Sequence, residues 1–149
     1  MPVMNVAKFE RFFRAAAGLD VDHADLKRYN DFLDRKIYDL LLRGQANAKT
    51  NDHVIIWPSD LPITKGLQES IHAFREIDQD IELQPILQGL TKHPPLEFDY
   101  SGKTEAELPG IAGGLSLALA RSFRIIEPQL KNPMPQHWER TFRLFDLLL

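Results

Sequence analysis

The chain has 149 residues, enough for one compact domain or two very small intertwined halves. It contains no cysteine, which removes disulfides, thiolate catalysis and thiolate metal sites together. The net charge of −3 has the wrong sign for a protein that holds DNA mainly through phosphates, so any nucleic-acid role must rest on a local patch.

The N-terminus, MPVMNVAKFERFF, lacks the apolar core and small-residue cleavage site of a signal peptide. Asn5 can cap a first helix, in which Val6, Phe9, Phe12, Phe13 and Ala16 form one apolar stripe. Gly18 is placed to end it, and the aspartates of LDVDHAD can cap the next helix. That second helix is long. Leu26, Tyr29, Leu33, Ile37, Leu40, Leu41, Gly44 and Ala48 recur every three or four residues. Running from Asp25 to Lys49, it would measure roughly 37 Å at 1.5 Å per residue. No single short helix covers a stripe of that length, so something else must cross it.

Asn51-Asp52 closes this helix, and DHVIIWPSDLPI follows. Val54-Ile55-Ile56-Trp57 is a strand-like scrap, stopped at Pro58 and passing at once into the helix-start signal Ser59-Asp60. A third helix is expected, with Leu61, Ile63, Leu67, Ile71 and Phe74 on its buried face and Pro62 in its first turn. The order then repeats. Pro85 opens a short helix with Ile86, Leu87 and Leu90, ended by His93-Pro94-Pro95. After the loop LEFDYSGK, Thr104-Glu105-Ala106-Glu107 fits a capping box. A second long helix carries Leu108, Ile111, Leu115, Leu119, Ser122, Ile126 and Leu130, with Pro128 expected to kink or fray its end. Its most apolar part, Ile111 to Ile126, is too short to span a membrane and carries Arg121 and Arg124. Past KNPMP, a last helix shows Trp138, Phe142, Phe145 and Leu149.

Short–long–short, twice over, resembles the histone fold. In that family the loop after the long helix forms a short strand and an Asp starts the last helix, as Val54 to Trp57 and Asp60 do here. The stretches FERFFRAAAGLDVDHADLKR, SDLPITKGLQE and LKNP resemble a small bacterial family of unknown function, a single-chain histone-fold pseudodimer. The resemblance covers essentially the whole chain. It implies that the two long helices cross near their middles, and that the strand after one pairs with the loop before the other. It also implies a loop pair, Arg with Asp in most histones. Here His53 takes the Arg position, facing Asp60, and the second half offers only Asn132 and Gln136 in KNPMPQHW.

Little else points to chemistry. Asp20, Asp22, His23 and Asp25 crowd one turn but lack the glycine and distal Glu of a calcium loop, so capping is the simpler reading. None of His23, His53, His72, His93 and His137 forms a local zinc motif. PGIAGG, Pro109 to Gly114, lacks the Lys-Ser/Thr and preceding strand of a phosphate loop. Gly113 and Gly114 are better placed at a helix crossing, where small residues let another helix approach. No nucleophile elbow is visible. For DNA, only Lys103 and Lys131 lie in the loops that histones use, flanked by Lys27, Arg28 and Lys49, and acids outnumber them.

The expectation is an all-α fold: one domain, 1–149, made of two histone-fold halves of about 1–78 and 79–149. No catalytic residue, cofactor or metal is assigned. The leading role is a cytoplasmic, non-enzymatic module for protein interaction or assembly, with an unidentified protein partner and no membrane. Weak DNA binding in a nucleoid-associated role is the rival. A ligand or enzymatic role in a crevice between the halves ranks below both. The protein would be a monomer, as an intrachain pseudodimer, or part of a higher assembly.

Overall fold

Apolar side chains at helical spacing put Phe9, Phe12 and Phe13 on one side of α1 (Val6–Ala17), where all three are buried. Gly18, at φ +64, ends that helix in the left-handed region that glycine enters without penalty. The computed structural model describes residues 6–83, 87 and 96–149. The expected cap at Asn5 lies outside the described residues. So does the helix expected from Pro85 to the His93-Pro94-Pro95 break, apart from Leu87, which is fully buried.

Among the described residues the protein is mostly helical, with five α-helices and one two-stranded sheet. After α1 comes α2 (His23–Thr50), two residues longer at its start than the stripe alone suggests. Asp22 caps it, and Asp22 and Asp25 bond reciprocally to each other's backbone N–H at 3.2 and 3.1 Å. The carboxylates of the LDVDHAD turn are therefore used as caps, with Asp20 turned toward Arg14. Strand β1 (Ile55–Ile56) pairs in parallel with β2 (Asp99–Tyr100), Ile55 opposite Asp99 and Ile56 opposite Tyr100. Then follow α3 (Lys65–Ile81), α4 (Gly102–Ile126) and α5 (Pro135–Leu148).

Three boundaries differ from the sequence expectation. Ser59-Asp60 does not start α3. Pro58–Asp60 is a single 3-10 turn, and Leu61-Pro62-Ile63 makes a tight turn, the Ile63 N–H donating to Leu61 O at 2.9 Å, before the true cap, Thr64, whose side chain accepts the Leu67 N–H. Leu61 is nonetheless buried. The capping box at Thr104 is not formed either, because α4 starts earlier. Ser101 is its cap, and Thr104, buried in the first turn, donates its hydroxyl to the Ile56 carbonyl at 2.8 Å. Pro128 lies beyond the helix end and does not kink it. On α4's expected buried stripe, Ile126 is exposed; on α5, Leu149 falls past the helix end and is also exposed.

Aromatic rings join the elements into one core. Phe13 of α1 meets Tyr29 of α2 at 5.6 Å and Trp138 of α5 at 5.8 Å between centroids. Trp138 in turn meets Phe123 of α4 at 4.9 Å, and Phe12 meets Phe74 of α3 at 5.8 Å. All but the tilted Phe13–Trp138 pair meet edge-on, an arrangement that adds about 0.5–1.5 kcal/mol each beyond the area buried. Where α2 approaches α4, Ser116 donates its hydroxyl to Ala112 O at 2.7 Å, so Tyr29 must donate to Ser116, also at 2.7 Å. Burial pushes the Tyr29 phenol well up, and it stays neutral.

The glycines of α4 are at a close approach, but α3 is the neighbour rather than the other long helix. A Cβ on Gly113 would strike the Phe74 ring, and one on Gly114 would strike the Ile71 side chain and lie 2.9 Å from its backbone N.

Candidate functional site

The loops at the two ends of the long helices are tied to one another. At one end, β1 pairs with β2, and the Ser101 N–H donates to Ile56 O at 3.0 Å. At the other, the Asp20 N–H, just before α2, donates to Lys131 O, just after α4, at 2.7 Å.

His53 and Asp60 are brought together in the first of these loops. His53 Nε2 lies 2.7 Å from Asp60 Oδ2. The same carboxylate oxygen accepts the Trp57 N–H at 2.8 Å, and Asn47 Nδ2 donates to the Asp60 carbonyl at 2.7 Å. The Asp60 side chain is only 2 % exposed. Its burial favours the neutral acid, but the bonds from His53 and the Trp57 N–H outweigh that and leave its pKa below the usual carboxylate value. The hydrogen bond to Asp60 raises the pKa of His53.

The second long helix is followed by the same device with the places of histidine and acid exchanged. Trp57-Pro58-Ser59-Asp60 has its counterpart in Met134-Pro135-Gln136-His137. The Met134 N–H donates to His137 Nδ1 at 2.8 Å, as the Trp57 N–H does to Asp60. The other ring nitrogen, Nε2, stands 3.1 Å from Glu127 Oε2. Here histidine is the cap and the acid is its partner. The cap is not Asn132 or Gln136, the residues that sequence reasoning offered. The missed signal was the shared X-Pro-polar-polar spacing, which fixes where the capping side chain must stand.

The basic residues considered for DNA separate into two groups. Lys27, Arg28 and Lys131 lie near the start of α2, among Asp20, Asp22 and Asp25. Lys27 pairs with Asp31 at 2.8 Å and Arg28 with Asp25 at 3.4 Å. Burial, above all, raises the Asp25 carboxyl pKa. Lys49 and Lys103 lie near the small sheet, where Lys49 pairs with Glu97 at 2.7 Å and sits over the Phe98 ring. Lys103 and Lys131 are exposed and make no ion pair among the described residues. Two such cations at opposite ends do not form a stripe that could follow a phosphate backbone.

What stands out instead is exposed apolar surface at both ends of α4. At its start, the outer edge of β1 presents Val54 at 69 % exposure, Ile55 at 40 % and Trp57 at 43 %. Asp99 sits opposite Ile55, and Asp52 precedes the strand. Beyond the far end of α4, an open groove of about 570 Å³ is lined by Ile126, Leu144 and Leu147 and flanked by Arg140 and Arg143. Leu147 is 80 % exposed, and Ile125, next to Ile126 in the chain, 79 %. Scattered apolar residues are ordinary on a surface, but contiguous groups rimmed by charge mark contact faces. No helix among the described residues is long and apolar enough to cross a membrane.

A family model described as "Domain of unknown function (DUF1931)" matches residues 9–146. An uncharacterized protein of Aquifex aeolicus (strain VF5) is 27 % identical over 110 residues, which cover 74 % of this chain. The match spans 64 % of that relative, so this chain covers less than two thirds of its length. Among solved structures, a crystal structure of a Thermus thermophilus protein is similar at a TM-score of 0.87 with 50 % identity, covering 98 % of this chain and 99 % of that one. A 1.9 Å crystal structure of an Aquifex aeolicus protein is similar at a TM-score of 0.84 with 24 % identity, covering 96 % and 94 %. That last likeness speaks for the fold alone, and none of these descriptions names an activity.

Proposed function

For a chain that belongs to the DUF1931 family, we propose an intrachain histone-fold pseudodimer that works in the cytoplasm as a non-enzymatic module for protein interaction or assembly. The short–long–short order supports the histone-like reading. So do the parallel pairing of β1 with β2, the Asp20–Lys131 link at the opposite end, and the recurrence of the Pro-linked cap after each long helix. The observation that carries the interaction role is the apolar groove of Ile126, Leu144 and Leu147 between Arg140 and Arg143. The polar constellations, by contrast, are engaged in capping and in joining helices.

Two assays on the purified protein test this together. In a gel-shift titration, random duplex DNA is expected to bind more weakly than about 10 µM at physiological salt, because so few phosphate contacts are on offer. Pull-down from lysate is expected to retain a partner set that Leu147→Asp loses. Submicromolar DNA binding at about 150 mM salt would replace this reading with the nucleoid-associated one. Identical pull-downs from both baits would remove the groove from it.

A further inference from the structure

Resting on the interaction reading, we propose that the partner of each apolar face is the opposite face of a second copy of this chain, docked head to tail. The two faces lie at opposite ends of α4, whose 25 residues span about 37 Å. They are alike in being apolar and opposite in charge. Ile55 and Trp57 are accompanied by Asp99 and Asp52, which make no ion pair among the described residues; exposed Lys103 offsets only part of that charge, and Lys49 is occupied by Glu97. The groove of Ile126, Leu144 and Leu147 is accompanied by Arg140 and Arg143, which likewise make none. Exposed Glu139 offsets only part of that charge, and Asp146 is occupied by Lys36 at 2.5 Å.

Charge decides between the possible pairings. A two-fold contact groove to groove would bring four arginines together. A two-fold contact strand to strand would bring four aspartates together. Like charges in one interface are strongly disfavoured, whereas strand face to groove sets Asp52 and Asp99 against Arg140 and Arg143. Such a contact uses different surfaces on the two copies. It therefore leaves one free face at each end and propagates into a chain or a closed ring. A single copy leaves both faces bare.

Each face is a few side chains wide, below a standard interface, so the dissociation constant is expected at about 10 µM to 1 mM. Sedimentation velocity of the purified full chain over that range is the test. The mean mass should rise from 17.1 kDa through twice that value and beyond. Raising salt from about 0.05 to 0.5 M should weaken association about 3- to 10-fold by screening the charged part. Trp57→Asp and Leu147→Asp, both at exposed positions, should each remain a folded monomer by circular dichroism. Mixed together, they should form a complex that stops at two chains, because one retains the groove and the other the strand face. A wild type that stays wholly monomeric at about 1 mM, the upper limit of this expected range, overturns the proposal, because about half or more of the chains should be associated there. So does either variant assembling alone, or a mixture that stays monomeric. If the wild type is monomeric but still captures lysate partners that Leu147→Asp loses, self-assembly fails and the interaction reading stands. If that capture is also absent, both fail.

Discussion

A histidine at residue 53 makes one loop contact conditional on pH where an arginine would make it permanent. His53 lies 2.7 Å from the buried Asp60 carboxylate, and the bond raises the pKa of His53 above 6.5 while lowering that of Asp60 below 3.8. The histidine's contribution is fully present below its unfolded-state pKa and is lost as pH rises through the folded-state value. The carboxylate's contribution is present above its own unfolded-state pKa and lost as pH falls through the folded one. Together they place the best stability of this loop in mildly acidic solution, between the two unfolded-state values. His53→Arg should therefore stabilise the protein at about pH 8, where the histidine is neutral, and change little at about pH 5.5, where it is already charged. Urea unfolding at both pH values measures the difference, and an NMR titration of the His53 ring checks the cause. A His53 pKa below 6.5 would mean that Asp60 is not its ionic partner in solution.

At the scale of elements, what the sequence made legible was whatever periodicity and covalent geometry decide. The stripes of α1, α2 and α4 stood out because each buries one face for several turns. The pairing of Ile55–Ile56 with a distant loop came from the resemblance, since a two-residue strand carries no register of its own. The start of α3 was misplaced because Asp60 does cap a turn, only a 3-10 one, and the local signal for the two is the same. His137 was missed because its role depends on a ring nitrogen accepting a backbone N–H, which its residue type does not announce. The exposed groove needed three dimensions, since Ile126 continues the buried stripe of α4 in sequence but, as the helix's last residue, reaches the surface. The glycines were legible in part, as a close approach with the wrong neighbour. That neighbour now makes the consequence specific. Gly114→Ala should gain about 1 kcal/mol of helix propensity. It also drives a methyl group to 2.9 Å from the Ile71 backbone N and 3.0 Å from its Cα, atoms that cannot rotate away. Overpacking of this kind should leave a net loss of about 1–3 kcal/mol, read from chemical denaturation. A more stable variant would show that α3 slides away without cost.

For the whole molecule, the contacts predict that neither half of the chain can hold its structure alone. α3 follows α2 in sequence, but its buried face, Ile71 and Phe74, is closed by Gly113 and Gly114 of α4. Phe13 belongs to α1, yet it is packed against Trp138 of α5. Lys36 of α2 is buried and has its shorter contact on α5, at Asp146, whose pKa that bond lowers first of all, with Asp39 of its own helix farther off at 3.4 Å. A fragment ending at Asp78 keeps α1, α2 and most of α3 and loses every one of these partners on α4 and α5, together with β2. What remains, Phe13 against Tyr29, Phe12 against Phe74 and Lys36 beside Asp39, is one open side of the core, too little to offset the entropy of ordering three helices. Isolated helices are marginal in water, so the fragment should be largely unfolded. The alternative is association: if the first half can stand in for the second, two copies should clasp into a homodimer. Circular dichroism and sedimentation of the fragment separate these outcomes from the one that refutes the argument, a cooperatively folded monomer. The full chain should unfold in one transition seen alike by far-UV circular dichroism and by fluorescence of Trp138, because that ring touches helices from both ends of the sequence.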